Sequence, residues 1–185
     1  MPIRPPYVSS KLPKEKLKWL EEELKESVKE LHSGSVGGTE NTGSSSISNV
    51  RRSEIYWIQN NPNIKSFLME QFSQVNRQCF GFDIKDIFDI QYSEYDAKYK
   101  GHYDWHLDIS EDGTNHFYER KLSMSIQLSD YSEYKGGNLE IKNVELGMES
   151  KQKGTIIVFP SNKLHRVTPV TDGTRRALVA WVEGL

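Results

Sequence analysis

Several things that would direct a chain elsewhere are scarce in these 185 residues. Cysteine occurs once, at Cys79, so no disulfide can form within the molecule, and a reducing compartment suits it. Long apolar runs are missing. The stretch Ile156-Ile157-Val158-Phe159 is only strand-sized, against the ~20 apolar residues of a membrane-spanning helix. The opening Met1-Pro2-Ile3-Arg4-Pro5-Pro6 lacks the apolar core of a secretory signal. No charge sign dominates: the net charge of −2 argues against a surface dedicated to nucleic acid, although a local basic patch is still allowed. No internal repeat is visible. The expectation is a soluble, cytoplasmic protein with one domain over 1–185 and a sizeable core.

What is present divides in two. Leu17, Leu20, Leu24, Val28 and Leu31 recur at spacings of three and four, which predicts a helix over 14–31. Pro13 suits its first turn, and the charged opposite face implies packing on the back of a sheet. Residues 33–50 are rich in Ser and Gly and read as a flexible loop, either a linker or a substrate-gating lid. Arg51 to Ile58 reads as a strand. Residues 62–76 read as a second helix with Ile64, Phe67, Leu68, Phe72 and Val75 inward. From residue 84 the pattern changes to short strands, predicted at 86–95, 102–109, 119–128, 138–142, 155–159, 164–170 and 174–183. Helical support over 1–80 and a β core over 84–185 give an α+β, mainly β fold, a sandwich or barrel.

The chemistry concentrates at His106-Leu107-Asp108, followed 57 residues after Asp108 by His165 and ten residues later by Arg175. Alternation on a strand puts His106 and Asp108 on one face, where they can converge on one ion. Two imidazoles and a carboxylate bind one face of Fe(II) and leave other positions open. His102-Tyr103-Asp104 has the same spacing and parity, so spacing alone does not choose between the pairs. His32 and His116 lie in polar contexts and read as solvated.

The surrounding segments carry a resemblance. Gly101-His102-Tyr103-Asp104-Trp105-His106-Leu107-Asp108 is similar to the Gly-X-Tyr-X-X-His-X-Asp stretch of prolyl 4-hydroxylase-like 2-oxoglutarate/Fe(II) dioxygenases of bacterial and phage type. Further pieces follow in the family's order. They are Arg120-Lys121-Leu122-Ser123, Tyr134-Lys135-Gly136-Gly137-Asn138-Leu139, Gly154 to Ser161, His165-Arg166-Val167, and Pro169 to Arg175 leading to Trp181. Arg51-Arg52-Ser53 through Trp57, and Asn76, resemble the upstream part of the same proteins. Each motif alone is weak; the ordered set is specific. The resemblance implies a double-stranded β-helix of the jelly-roll or cupin-like kind. It also implies Fe(II), 2-oxoglutarate and molecular oxygen, with ascorbate as reductant. It selects His106, Asp108 and His165 as the catalytic metal ligands in preference to His102.

The same resemblance places Arg175 at the far carboxylate of 2-oxoglutarate, where a guanidinium offers a planar paired-donor fork. Arg176 competes but should face the opposite side of its strand. Tyr95 resembles the tyrosine that assists this carboxylate, with two extra residues before His106. Tyr92 and Tyr103 are alternatives, and Gln127 or Ser123 stand where the family often has an inward hydroxyl or tyrosine. Trp57, Trp105 and Trp181 read as packing residues, with Trp105 turned away from the metal. Arg51 and Arg52 read as surface charge or as the wall of a substrate groove. The implied reaction hydroxylates a C–H bond, of a prolyl residue in a peptide or protein, with release of succinate and carbon dioxide. Asp108 argues against a halogenase, for which a small residue would be expected there. The alternatives are an oxygenase of a small molecule or free amino acid, a non-catalytic cupin-like binding module, a zinc hydrolase, and a nucleic-acid dealkylase. Arg175 has no purpose in a hydrolase, and an intact ligand set argues against a decayed module.

Overall fold

The computed structural model describes residues 4–29, 31–34, 50–109 and 119–185. Most of the Ser/Gly-rich stretch over 33–50, and His116, lie outside them. Among the described residues, twelve strands and two α-helices are laid out as β1 Val8–Lys11, α1 Lys14–Ser27, β2 His32–Ser33, β3 Arg51–Arg52, β4 Glu54–Trp57, α2 Pro62–Val75, β5 Ile84–Asp96, β6 His102–His106, β7 Glu119–Gln127, β8 Tyr134–Gly136, β9 Leu139–Ile141, β10 Thr155–Pro160, β11 His165–Val167 and β12 Val170–Gly184. A large antiparallel sheet runs β1-β10-β7-β12-β5-β4-β2, with β8 attached to β12. A smaller sheet runs β3-β6-β11-β9. Together they form the double-stranded β-helix.

Alternation along the large sheet separates core from site. Leu122, Met124 and Ile126 of β7, Ile156 and Val158 of β10, and Leu178, Ala180 and Val182 of β12 form one apolar face. That face packs against Leu20 and Leu24 of α1 and Ile64, Phe67, Leu68 and Phe72 of α2. The intervening residues Ser123, Ser125 and Gln127 lie on the opposite face of β7, toward the smaller sheet, and are buried all the same. A strand that is apolar on one face and polar but buried on the other is a scaffold for a site.

Local signals explain most of the element ends. Asn61 caps α2, its Oδ1 accepting from the Ile64 N–H at 2.9 Å, and Pro62 occupies the first turn. A single π-turn, Asn76–Phe80, continues α2 and ends at Gly81 with φ 65°. There the Asn76 side chain donates to the Phe82 carbonyl and accepts from its N–H, both at 2.9 Å. Asn76 is thus a staple between α2 and β5. Helix α1 is shorter than its periodicity predicts. It ends at Ser27, Val28 is extended, and His32–Ser33 are drawn into pairing with Glu54–Ile55. The stretch expected as one strand over Arg51–Ile58 is two, broken at Ser53. Arg51–Arg52 pair with β6 in the smaller sheet, and Glu54–Trp57 pair with β5 in the larger. The backbone passes from one sheet to the other here, and this crossing carries Arg51 into the interior. No helix among the described residues is long and apolar enough to cross a membrane.

Candidate metal centre and carboxylate pocket

His106 ends β6 and His165 begins β11, and the two are direct partners in the register of the smaller sheet. A separation of 59 positions in sequence therefore becomes a ring-to-ring distance of 4.1 Å. Asp108 lies just beyond the end of β6, where its N–H donates to the Ser161 carbonyl at 3.0 Å. The ligand atoms of His106, Asp108 and His165 lie within 4.8 Å of one another, and this is the metal-binding group found among the described residues. His106 Nε2 stands 3.6 Å from Asp108 Oδ1, and His165 Nε2 stands 3.3 Å from Oδ2. His102 and Asp104 are outside this group; Asp104 turns its carboxylate back to the Trp105 N–H at 2.7 Å.

Each triad imidazole is oriented by the backbone two residues earlier. His106 Nδ1 lies 2.7 Å from the Asp104 carbonyl, and His165 Nδ1 lies 2.9 Å from the Lys163 carbonyl. A carbonyl can only accept, so Nδ1 carries the proton and Nε2 presents its lone pair toward Asp108. Burial drives His106 down to about 4, aided by the adjacent His165, so this ring is neutral at pH 7. Burial pushes the Asp108 carboxyl up, but His165, His106 and the Ser123 hydroxyl together hold it below its ordinary value. Ser123 Oγ donates to Asp108 Oδ2 at 2.6 Å and contacts Ser161 Oγ at 3.0 Å. The Trp181 indole also faces this carboxylate, yet its N–H closes no hydrogen bond of ordinary geometry. No Lys or Arg among the described residues pairs with the Asp108 carboxylate. A buried anion between imidazoles with free Nε2 lone pairs fits a divalent cation.

The second cluster lies farther along the same interior. Arg175 is 4% exposed, and its register partner is Tyr95, whose ring centre is 5.6 Å from the guanidinium carbon. Arg176 faces the other way and pairs with Glu94 at 3.1 Å. Gln127 Nε2 donates to the Tyr134 hydroxyl at 2.7 Å. Burial raises the Tyr134 phenol, and the neighbouring Arg175 opposes the rise. The turn Gly136-Gly137 makes this possible. Both residues have positive φ, of 72° and 57°. A Cβ on Gly136 would collide with the Pro169 carbonyl, and one on Gly137 would press on Arg175 Cδ and the Tyr134 ring. Arg175, Tyr95, Tyr134 and Gln127 thus form one buried cluster, and a guanidinium and a phenol are groups that suit a carboxylate.

The other expected site residues fall elsewhere. Ser123 lies at the Asp108 carboxylate. Tyr103 stacks on His106 at 3.5 Å, nearly parallel. Tyr92 lies off the pocket, donating to Glu94 at 2.7 Å. Trp105 is turned outward beneath Arg166, as expected from parity. Two residues, Tyr134 and Arg120, were not foreseen here, and Arg51 was foreseen only as an alternative. Tyr134 was visible only as part of a glycine turn. Arg51, read as surface charge or as the wall of a substrate groove, is 6% exposed. Arg120 packs between Phe88 and Trp181, at 4.5 and 4.4 Å, and pairs with Asp89 at 3.0 Å. Trp57 stands 6.1 Å from Trp181 and is exposed on its other side.

Comparison with known proteins agrees with this geometry. The chain is 36% identical over 102 residues to a PKHD-type hydroxylase of Crocosphaera subtropica, covering 55% of this chain and 45% of that protein. It is 41% identical over 66 residues to one of Idiomarina loihiensis, covering 35% and 30%. The chain thus spans less than half the length of these curated relatives. In fold it is similar to a Pseudomonas putida prolyl-4-hydroxylase, with TM-score 0.70, 21% identity and coverage of 97% of this chain and 93% of that one. A viral collagen prolyl hydroxylase from Paramecium Bursaria Chlorella virus-1, in its 2OG complex, gives TM-score 0.67 at 16% identity, covering 98% and 97%. The family model of the 2OG-Fe(II) oxygenase superfamily matches residues 90–183, half of the chain, and includes the triad and Arg175. The protein belongs to the 2OG-Fe(II) oxygenase superfamily.

Proposed function

We propose that this chain is a 2-oxoglutarate- and Fe(II)-dependent dioxygenase that hydroxylates a C–H bond of a prolyl residue in a peptide or protein, releasing succinate and carbon dioxide. The observation that carries the reaction class is the convergence of His106 with the buried Asp108 and His165, with the buried Arg175 cluster farther along the same interior. His106 Nε2, His165 Nε2 and Asp108 would hold the metal. Bound there, iron supplies the coupling of oxygen activation to decarboxylation of 2-oxoglutarate.

The protein's own part is binding, orientation and exclusion of water. Arg175 and the Tyr134 hydroxyl hold the far carboxylate of 2-oxoglutarate, with Tyr95 as a wall and Gln127 fixing the phenol. Ser123 steadies Asp108 in one rotamer. Tyr103 and Trp181 cover the triad and keep bulk water from the reacting atoms. The prolyl assignment draws on the likeness to prolyl hydroxylases, one of them solved with a peptide fragment of a hypoxia inducible factor at TM-score 0.69.

The test is an assay with Fe(II), 2-oxoglutarate, ascorbate and a panel of proline-rich peptides, read by succinate and by a peptide mass gain of one oxygen. Oxygen insertion confined to free amino acids rejects the peptide substrate. Absence of succinate under all conditions rejects the reaction.

A further inference from the structure

Two guanidiniums are buried in the interior, and the reading above uses one of them. Arg51 is as enclosed as Arg175, yet no carboxylate lies within ion-pair reach of it among the described residues. Its Nε donates to Ser53 Oγ at 2.8 Å, and its Nη2 donates to Gln91 Oε1 at 2.6 Å. Its guanidinium carbon stands 4.6 Å from the centre of the Tyr103 ring, which is itself stacked on His106. Neutral acceptors and an aromatic face solvate a buried cation without neutralising it, and an uncompensated buried charge is strongly unfavourable.

Gln91 supplies a second, independent sign. Its Oε1 accepts from both Arg51 and the Ser93 hydroxyl, the latter at 3.0 Å. That fixes the amide and turns Nε2 the other way, where it is fully enclosed and has no partner. A cation and an orphaned N–H donor are therefore fastened together beside the triad. A carboxylate satisfies both, giving the charge that Arg51 lacks and an oxygen that Gln91 can donate to. Interior charge agrees. Two guanidiniums and a divalent metal exceed Asp108 and the two carboxylates of 2-oxoglutarate by one positive charge.

We propose that Arg51 and Gln91 form a binding site for a carboxylate of the primary substrate, so that the hydroxylated residue lies next to an anionic group. This rests on the function proposed above. The carboxylate has two sources, an acidic side chain beside the target residue or the free C-terminus of the substrate.

The experiment uses the full-length protein loaded with Mn(II) and 2-oxoglutarate without oxygen, titrated with four acetylated dipeptides and followed calorimetrically. Ac-Ala-Pro with a free carboxylate is matched with its amide, and Ac-Glu-Pro amide with Ac-Gln-Pro amide. At least one carboxylate-bearing member is expected to bind about tenfold more tightly than its neutral mate, and the pair that discriminates identifies the source. Arg51→Gln removes the preference. Gln91→Glu gives Arg51 an internal partner, so it should remove the preference and raise the melting temperature together, which keeps the test decisive if Arg51→Gln does not fold. Equal binding within both pairs, no binding of either carboxylate-bearing dipeptide, or a preference that survives Gln91→Glu overturns the proposal. So does an Arg51→Gln variant that loses 2-oxoglutarate affinity as severely as Arg175→Gln, because Arg51 would then serve the cosubstrate. None of these titrations involves turnover, so failure of the oxygenase reading would show separately, as absent succinate.

Discussion

Asp108 is the residue on which the centre depends, and Ser123 is what holds it. The 2.6 Å hydrogen bond from Ser123 Oγ to Oδ2 fixes which carboxylate oxygen faces the two imidazoles. Ser123→Ala removes that bond without changing charge or opening a large cavity. It is expected to weaken metal binding by at least about tenfold, the usual effect of losing a hydrogen bond to a metal ligand. Titration of the metal-free protein with Mn(II), followed by its magnetic resonance signal, checks this; unchanged affinity would remove Ser123 from the centre. Tyr134→Phe tests the second cluster. Loss of a hydrogen bond to a carboxylate is expected to raise the Kd for 2-oxoglutarate about tenfold while metal affinity stays constant. At this scale the metal-binding group was readable once the ordered motifs selected His106 over His102, and His106, Asp108 and His165 do converge; Arg175 is buried with its register partner Tyr95, and its role is a proposal. Tyr134 was not readable, because its value comes from a two-glycine turn that folds its ring onto Arg175. Arg51 was readable only as two alternatives, surface charge or groove wall, because the sequence does not show that the backbone passes between sheets there.

The helices matter to the site through the sheet they cover. Phe72 of α2 is fully buried against the apolar face of the large sheet, the reverse of the face that carries Ser123 and Gln127. Phe72→Ala is expected to cost roughly 3–5 kcal/mol of stability through lost burial and the cavity left behind. The Kd for 2-oxoglutarate of the folded fraction should be unaltered. Denaturant unfolding and calorimetric titration on one preparation separate the two, and a large change in affinity would show that helix and pocket are coupled. Elements with strong periodicity were legible in this way: α2, and the long strands β5, β7, β10 and β12. Elements set by pairing partners were not. His32–Ser33 and Tyr134–Gly136 are strands because β4 and β12 lie beside them, and nothing in their own composition says so.

Across the whole molecule, the centre ties two sheets together through charge. His106 and His165 belong to the smaller sheet, while Asp108 is tethered to Ser123 of the larger one. Without metal, this junction is sensitive to acid. The His106 imidazole titrates at about 4 in the folded protein, because burial and His165 oppose its charge, against 6.5 when exposed. Between those values the unfolded state holds a proton that the folded state refuses, so stability falls as pH drops from about 6.5 toward 4. The span corresponds to a loss on the order of 3 kcal/mol. Asp108 extends the loss below that window, since its folded carboxyl is also held below the ordinary value and must be protonated last. A bound divalent cation engages the Nε2 atoms and the carboxylate in their deprotonated forms, and it stabilises the folded state in proportion to the logarithm of its concentration over Kd. Melting curves of the chelated protein should therefore decline between pH 6.5 and 4. Curves with saturating Mn(II) should lie higher at pH 7 and converge on the chelated ones as the pH falls, because protons displace the metal. If His106→Ala left the chelated protein's decline unchanged, this imidazole would not be its source. If Mn(II) raised the melting temperature of wild type and of His106→Ala equally, the metal would be binding somewhere other than between these two sheets.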